Sequence, residues 1–301
     1  MKFSFIKPAK YFLMLSATLV GVSIVLLISP GPTFSIDFTG GTLIELKIPS
    51  SSTKDDLSQA MSSLIFEDGS KIDNVSFSAT KSETMLMRMR DLTNEEHLAL
   101  IDHLTKTLGE TQELQFTTIG PTVGASLKKQ SLWALGIASV AIVLYIAFAF
   151  RKVPKRLSPW RFGIIAVVTL LHDVIITVGI FVILSRFTSF EFDTLFVTAL
   201  LTILGYSVND TIVIFDRIRD NLLSSNRGEE FYIVAERSLH QSIRRSFNTS
   251  ISTLIMLSAL FLLGSESIRW FVLTLIVGAV IGTYSSIFLA TPLLVYWRKK
   301  Y

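Results

Sequence analysis

Six long apolar runs constrain the fold of this 301-residue chain more strongly than any other feature. A bilayer hydrocarbon core about 30 Å thick requires roughly 20 apolar residues in a helix. Runs of this length predict transmembrane helices at residues 11–29, 130–150, 162–185, 192–215, 246–264 and 270–297. Half of all residues are apolar and only 17% are charged, which excludes an ordinary soluble globular protein. We therefore predict an α-helical polytopic membrane protein with six transmembrane helices.

Basic residues are concentrated in alternate connections between the predicted helices. Lysine and arginine cluster in residues 1–10, 151–161, 216–245 and 298–301, whereas the two other short connections carry one arginine each. Basic residues close to a span are retained on the cytoplasmic side of the membrane. Both termini are therefore predicted to be cytoplasmic.

The connection between the first two spans, residues 30–126, is long enough to form a domain. Alternating apolar residues and turn signals predict strand, helix, strand, strand, helix and strand at 36–48, 52–66, 73–80, 84–90, 93–109 and 113–119, with a hairpin turn at 81–83. Gly40-Gly41 indicates a bulge or a close approach of two backbones. Thr93 followed by Glu96 indicates a capping box. This order predicts a small α+β ferredoxin-like domain on the extracytoplasmic side, between the first two transmembrane helices.

Several functional classes have no support in the sequence. The chain has no cysteine, which excludes disulfides and thiolate chemistry. Its basic residues form no single polar face, so nucleic-acid binding is not expected. It has no phosphate-binding loop, no nucleophile elbow and no zinc-binding helix motif. We therefore expect neither an enzyme nor a cofactor, and we expect the energy to come from a gradient or a partner.

Asp210 is a carboxylic acid within the fourth predicted span, where an ionised group is costly. It precedes Asp216 by six residues, about 9 Å of helix, and therefore lies inside the membrane but near the cytoplasmic water. Arg245, at the start of the fifth span, is predicted at a similar depth. Burial disfavours an ionised carboxylate and a nearby arginine favours it. The two residues, with the adjacent Asn209, are therefore proton-coupling candidates; a static ion pair joining two helices is the alternative.

Asp173 is a second acid, near the middle of the third span. His172 and Thr177 are its candidate hydrogen-bond partners. Because buried acids serve either proton transfer or helix association, both a proton-coupling role and a structural role stay open for Asp173.

Small residues recur at every fourth position of the sixth span, at Gly278, Gly282 and Ser286. Such spacing lets two helices approach closely. We predict that this face packs against another helix, and we place Gly205 of the fourth span in the same packing set.

Several motifs resemble those of the SecF family of bacterial protein translocase subunits, within the resistance-nodulation-division superfamily. They are Ile-Asp-Phe-Thr-Gly-Gly at 36–41, Gly-Pro-Thr-Val-Gly at 120–124, His-Asp-Val at 172–174, Gly-Tyr-Ser-Val-Asn-Asp-Thr at 205–211 continuing to 221, and the segment 241–245. The resemblance covers residues 10–297 in the same order. The family usually has Asn-Gln-Thr and Arg-Thr where this chain has 240–242 and 245–246; the substitutions keep the polar character.

The resemblance implies a function and a set of partners. It implies that the chain pairs with SecD, a related six-span protein, in a twelve-span pseudo-twofold unit of the bacterial inner membrane. It also implies that the proton motive force drives late steps of protein export through Asp210 and Arg245. The implied contacts are the SecYEG channel, YajC, YidC, exported unfolded polypeptide and membrane lipid. Transporters of this kind place their ion site between two repeats, and this chain supplies one.

The mechanism we expect is that protonation of Asp210 weakens its attraction to Arg245 and shifts the packing of the fourth and fifth spans. The alternative is a non-transporting membrane scaffold that binds a partner through its outer domain. Drug and lipid exporters of the superfamily are a further comparison, but they normally join two such repeats in one chain.

Overall fold

The computed structural model describes residues 4–49, 52–66, 69–72, 74–79, 84–150, 159–224 and 229–298. The predicted hairpin turn at 81–83, most of the basic connection 151–161 and the last three residues lie outside these ranges. The chain divides into two compact units. The first comprises Met1–Thr33, Leu132–Phe190 and Thr194–Tyr301, and the second comprises Phe34–Ser131 and Glu191–Asp193.

The elements follow one another along the chain as a helix, a small α+β segment and a series of long helices. They are α1 (Ala9–Ile28), α2 (Ile36–Thr39), β1 (Gly41–Lys47), α3 (Lys54–Ser63), β2 (Ser76–Ala79), β3 (Met85–Met89), α4 (Asn94–Leu108), β4 (Gln112–Ile119), α5 (Pro121–Ala149), α6 (Pro159–Phe187), α7 (Thr194–Ser224), α8 (Phe231–Leu263), α9 (Arg269–Ser285) and α10 (Thr291–Arg298).

Six helical segments of the described chain are long and apolar enough to cross a membrane, in agreement with the six predicted spans. The sixth segment runs from Glu266 to Trp297 and contains α9, a π-helical turn at Ser286–Ala290 and α10. Pro292 has no N–H to donate to the preceding turn, which accounts for the local break in the α-helical ladder. Several helices extend beyond the apolar runs that predicted them. For example, α8 begins at Phe231 because its first turns also bury apolar side chains in the core of the bundle.

In the first unit, α7 packs against α6, α8 and α9, and α1 packs against α6. Aromatic side chains fill two regions of the core. One region contains Phe150, Phe162 and Phe215. The other contains Phe181, Phe190, Phe196 and Trp270. On α6 these two regions contain Phe162 and Phe181, which are nineteen residues or about 28 Å of helix apart. The buried polar residues of α6 lie between them.

The second unit contains a four-stranded sheet of order β2–β3–β1–β4, in which each neighbouring pair is antiparallel. The helices α3 and α4 pack together and close a core. That core contains Ile44, Leu46, Leu57, Met61, Met87, Leu100 and Leu104. The observed order of strands and helices agrees with the predicted order, and this sheet is the arrangement expected from it. The extracytoplasmic location of the unit stays a prediction.

Both helices of the second unit begin with a capping box. Thr53 and Asp56 cap α3, and Thr93 and Glu96 cap α4 as predicted. Arg90 forms an ion pair with Glu96 and lowers the pKa of that carboxyl below its ordinary value of 4.5. These contacts satisfy backbone N–H groups that have no partner within the helix.

The predicted strand 36–48 begins later than expected, at Gly41. Residues Ile36–Thr39 form a short helix because the Ser35 hydroxyl accepts a hydrogen bond from the Asp37 N–H. The two glycines that follow allow a close backbone approach. A Cβ on Gly40 would lie 2.8 Å from the Cα of Pro121, and a Cβ on Gly41 would lie 2.7 Å from the Met89 carbonyl. The irregularity in strand pairing lies elsewhere, between Glu45 and Leu46.

Candidate functional site

Asp210 is buried in the first unit, with only 3% of its surface exposed. It lies on α7 and faces α8, where the Ser250 hydroxyl donates a long hydrogen bond of 3.5 Å to its carboxylate. Ser250 is in turn 2.7 Å from the hydroxyl of Thr283 on α9. The acid is therefore enclosed by three helices, and its hydrogen-bonding neighbours are the Ser250 and Ser246 hydroxyls of α8.

Arg245 lies on α8 in the neighbourhood of Asp210, as its predicted depth requires. Its side chain is exposed, and the two residues form no ion pair in the described part of the chain. The next residue, Ser246, is buried instead. Successive residues on a helix point about 100° apart, so only one of these two neighbours can face α7. The static ion pair considered above is therefore not present in this structure.

Asp173 forms a second polar centre, in which its side chain is fully buried. His172 Nδ1 lies 2.8 Å from one carboxylate oxygen. The Ser207 hydroxyl on α7 and the Ser285 hydroxyl on α9 both donate to the other oxygen, the latter at 2.8 Å. Asp173 thus connects three helices, and unlike Asp210 it has hydrogen-bond partners on both carboxyl oxygens. The predicted partner Thr177 donates to the backbone carbonyl of Asp173 and not to its carboxylate.

The small residues of α9 pack against α7. A Cβ on Gly278 would lie 2.2 Å from the Ile203 side chain, and a Cβ on Gly282 would lie 3.0 Å from the Cβ of Ser207. The Ser286 hydroxyl is 3.1 Å from that of Thr211. These three positions hold α7 against α9 and the π-helical turn that follows it, on the side where Ser207 meets Asp173.

Two other candidate residues, Gly205 and Asn209, lie on an exposed face of α7. A Cβ on Gly205 would meet no atom within 4 Å, so this glycine makes no close helix contact within the chain. The structure therefore brings Asp210 and Arg245 into one neighbourhood, and Gly278, Gly282 and Ser286 into one packing face. It leaves Gly205 and Asn209 on the outside of the bundle.

Ser207 was expected to hydrogen-bond across helices, whereas Ser285, Ser250 and Thr283 were not singled out from the sequence. Ser207 and Ser285 complete the centre at Asp173, and Ser250 with Thr283 completes the one at Asp210. A signal was available in α8, where serines recur at every fourth position from residue 238 to residue 250. Among the described residues, no group of three acidic or histidine side chains is arranged to hold a metal ion.

Two family profiles identify the class of membrane protein to which this chain belongs. The profile of the family described as "Protein export membrane protein SecD/SecF, C-terminal" matches residues 99–300, and the "SecD/SecF GG Motif" profile matches residues 25–48. The chain belongs to the SecD/SecF family of protein export membrane proteins.

Within this family, the similar curated proteins are SecF subunits. "Protein translocase subunit SecF" of Thermobaculum terrenum is 39% identical over 295 residues, which cover 96% of this chain and 92% of that protein. The protein of the same name from Sebaldella termitidis is 35% identical, with 99% and 93% covered. That of Helicobacter pylori is 31% identical, with 95% and 84% covered.

Solved structures of SecDF are also similar to this chain. The crystal structure of SecDF, a translocon-associated membrane protein from Thermus thermophilus, matches 99% of this chain with a TM-score of 0.82 and 31% identity. A structure of SecDF in a super-membrane-facing form matches all of it with a TM-score of 0.69. The chain spans 39% of the length of each SecDF chain. This chain is therefore a multi-pass membrane protein with a role in Sec-associated protein export.

Proposed function

We propose that this chain is the SecF half of a proton-driven unit that, together with SecD, promotes late steps of protein export across the bacterial inner membrane. In this proposal both termini are cytoplasmic, and the second unit faces the outside of the cell membrane. The chain has no catalytic activity or cofactor of its own, because the proton motive force supplies the energy. The unit works beside the SecYEG channel, YajC and YidC, on exported polypeptide and among membrane lipids.

The observation that carries this proposal is the environment of Asp210. A carboxylic acid buried between membrane helices must be neutralised, paired or hydrogen-bonded. Asp210 accepts a long hydrogen bond from Ser250 and lies beside the Ser246 hydroxyl, whereas the nearby Arg245 is exposed and forms no ion pair with it. A change in the charge of Asp210 therefore alters its attraction to a side chain that is free to approach or leave. This is the property that a proton-coupling acid requires.

Pairing with SecD is supported by the outer face of α7. Thr198, Thr202, Gly205 and Asn209 are exposed along this face at spacings of three or four residues. Polar side chains gain little from contact with lipid, whereas small and polar side chains favour close packing and hydrogen bonding with a second helix. A partner helix here would pack directly behind Asp210, so that the acid would lie between two repeats.

In this proposal, α7 transmits movement at Asp210 to the second unit. This helix is unbroken from Thr194 to Ser224, and the residues that immediately precede it, Glu191–Asp193, belong to the second unit. Within that unit Glu191 forms an ion pair with Arg88 of β3. A shift of α7 at Asp210 is therefore passed along the chain to a segment that is fixed to the sheet.

The test is proton flux into sealed vesicles that contain this chain and SecD, measured with a pH-sensitive dye. We expect Asp210→Asn and Arg245→Met to reduce the flux to the level of empty vesicles. Arg244→Met and Asp220→Asn are matched controls, because these side chains are exposed on the same two helices and should leave the flux unchanged. Co-purification with SecD should be retained in all four variants.

Two results would reject the proposal. One is an unchanged flux in both Asp210→Asn and Arg245→Met. The other is the absence of proton flux with the unsubstituted pair of proteins, which would favour the scaffold alternative.

A further inference from the structure

An apolar groove lies on the surface of the first unit where α1, α6 and α9 meet. Its volume is about 360 Å³, within the range of about 300–1,000 Å³ that is usual for ligand pockets. Aliphatic side chains of the three helices form most of its wall, and Tyr284 of α9 contributes an aromatic ring. Leu15, Val22 and Val280 are each about half exposed in it, so the groove is open to the surrounding lipid.

The length of the groove matches one leaflet of a bilayer. On α1 the groove extends from Leu15 to Leu26, eleven residues or about 16 Å of helix, and half of the hydrocarbon core is about 15 Å thick. Leu26 lies two residues before the C-terminal end of α1, whereas Leu15 lies six residues after its start. An acyl chain of the leaflet at the C-terminal end of α1 therefore fits the groove lengthwise.

Arg186 lies at the end of the groove near the C-terminus of α1. It follows Ile183, a wall residue, by three positions and is therefore on the same face of α6. Its exposed guanidinium reaches α1, because Nη2 donates to the carbonyl oxygens of Pro30 and Gly31 at 3.0 and 2.9 Å. A guanidinium has five N–H groups, and those of Nε and Nη1 make no hydrogen bond with the described residues.

The remaining N–H groups of Arg186 match a phosphate group. A guanidinium can donate to two phosphate oxygens at once, and it loses its water more readily than an ammonium group does. Glu191 is the nearest acid along the chain, but it forms an ion pair with Arg88. An arginine beside an apolar groove as long as one leaflet therefore matches a lipid with an anionic headgroup.

A second transmembrane helix matches the groove less well. Interfaces between membrane helices are enriched in small and polar residues. The small residues of the groove, Ser23 and Gly179, already contact each other, since a Cβ on Gly179 would lie 2.2 Å from the Ser23 hydroxyl oxygen. The exposed side chains of the wall are large and aliphatic. A flexible acyl chain can follow such a surface, whereas a helix needs closer approach.

We propose that this groove binds one anionic phospholipid, with its phosphate on Arg186 and one acyl chain between α1, α6 and α9. In the orientation proposed above, the lipid belongs to the outer leaflet. The far end of the acyl chain contacts Tyr284, whose hydroxyl is 3.1 Å from that of Ser16 and whose ring stacks on His172 at 6.4 Å. Binding at this site requires neither SecD nor a proton gradient, so it can be tested on this chain alone.

The first experiment identifies the lipid in the groove. A photoactivatable amino acid replaces Leu19, which lines the groove, or Ile255, which is 65% exposed on α8 and does not line it. The two positions lie about 12–14 Å from the ends of their helices on the same side of the bundle. The full-length chain is irradiated in vesicles of equal parts phosphatidylglycerol and phosphatidylcholine, and mass spectrometry identifies the cross-linked lipid. We expect the ratio of phosphatidylglycerol to phosphatidylcholine to be about fivefold higher at residue 19 than at residue 255, the preference expected from one basic residue.

The headgroup contact is tested by a pair of arginine variants. Arg186→Gln should lower the ratio at residue 19 to that at residue 255. Arg269→Gln is the matched control, because Arg269 lies on the same side of the bundle but already forms an ion pair with Glu266, and it should leave the ratio unchanged. Equal ratios at residues 19 and 255 in the otherwise unsubstituted chain, or an unchanged ratio in Arg186→Gln, would overturn the proposal.

The second experiment fills the groove. Ile180→Trp adds volume to its wall, and Ile255→Trp adds the same volume on α8. Native mass spectrometry of the purified full-length chain with phosphatidylglycerol should show one retained lipid for the unsubstituted chain and for Ile255→Trp, and none for Ile180→Trp. Retention by Ile180→Trp, or no retention by the unsubstituted chain, would overturn the proposal. If Ile180→Trp fails to fold, the exposed Arg186→Gln substitution still decides the question.

Discussion

Replacing Asp173 tests whether this acid holds helices together or carries protons. Asp173→Leu keeps the approximate shape of the side chain but removes the acceptor of the Ser207 and Ser285 hydrogen bonds. Hydrogen bonds between membrane helices contribute about 0.6 kcal/mol on average and at most about 1.7 kcal/mol each. With two such bonds lost, we expect the free energy of unfolding to fall by about 1–3 kcal/mol.

Asp173→Asn should lower the free energy of unfolding much less than Asp173→Leu. Its carbonyl oxygen can accept from both serines, and its amide can donate to His172 Nδ1 if the histidine proton moves to Nε2. Nε2 makes no hydrogen bond in the described structure, so this tautomer change breaks no existing contact. We expect a loss below about 1 kcal/mol, within the range of a single hydrogen bond.

The assay is reversible unfolding of the detergent-solubilised protein, followed by circular dichroism. Thr169→Val is a suitable control, because Thr169 is buried on the same helix but donates only to a carbonyl of its own helix. Equal destabilisation by Asn and Leu at position 173, or none by Leu, would refute the account of Asp173 as a three-helix connection. If Asp173→Asn is stable but loses proton flux, the acid also takes part in coupling.

Two further predictions concern packing and capping. Gly278→Ala should lower the free energy of unfolding by about 1–3 kcal/mol through overpacking against Ile203. When it is combined with Ile203→Ala, the total loss should be smaller than the sum of the two single losses. Additive losses in the same unfolding assay would contradict this. Glu96→Gln should weaken the first turn of α4 by about 0.5–1 kcal/mol at pH 7 by removing the ion pair with Arg90. Because folding lowers the pKa of Glu96, this contribution is complete well above pH 4.5 and is lost as the pH falls through the lowered pKa. Hydrogen exchange of α4 amides in the full-length protein should therefore differ between Glu96→Gln and the unsubstituted chain at pH 7, and the difference should shrink as the pH is lowered below 4.5.

The position of a residue along its helix could be predicted from the sequence, whereas the direction of its side chain could not. The lengths of the apolar runs determine the six spans, and counting along the chain places Asp210 and Arg245 at similar depth. Which face of a helix is buried depends on rotation about its axis, and packing with neighbouring helices determines that rotation. Asn209 and Asp210 are adjacent, yet one is exposed and the other is buried. For the same reason Ser246 and not Arg245 faces α7.

Most serine hydroxyls of the site, such as those of Ser250 and Ser285, were not identified from the sequence, for a related reason. A single serine costs little in a membrane helix because its hydroxyl can donate to a backbone carbonyl one turn earlier, as Ser242 does to Ser238. Such residues therefore do not interrupt an apolar run, and they become noticeable only when their spacing is compared with the helical repeat. The α+β domain was easier to predict, since capping boxes and alternating strands are local patterns.

The two buried acids lie on sides of α7 that differ in their hydrogen bonding at the level of each acid. Toward α6 and α9 the helix is fixed by the bond from Ser207 to Asp173 and by the contact of Thr211 with Ser286. Toward α8 it is connected near Asp210 by one long hydrogen bond from Ser250. A change in the charge of Asp210 therefore meets least resistance on the α8 side. We expect α8, which also carries Arg245, to be the helix that moves when Asp210 gains or loses a proton.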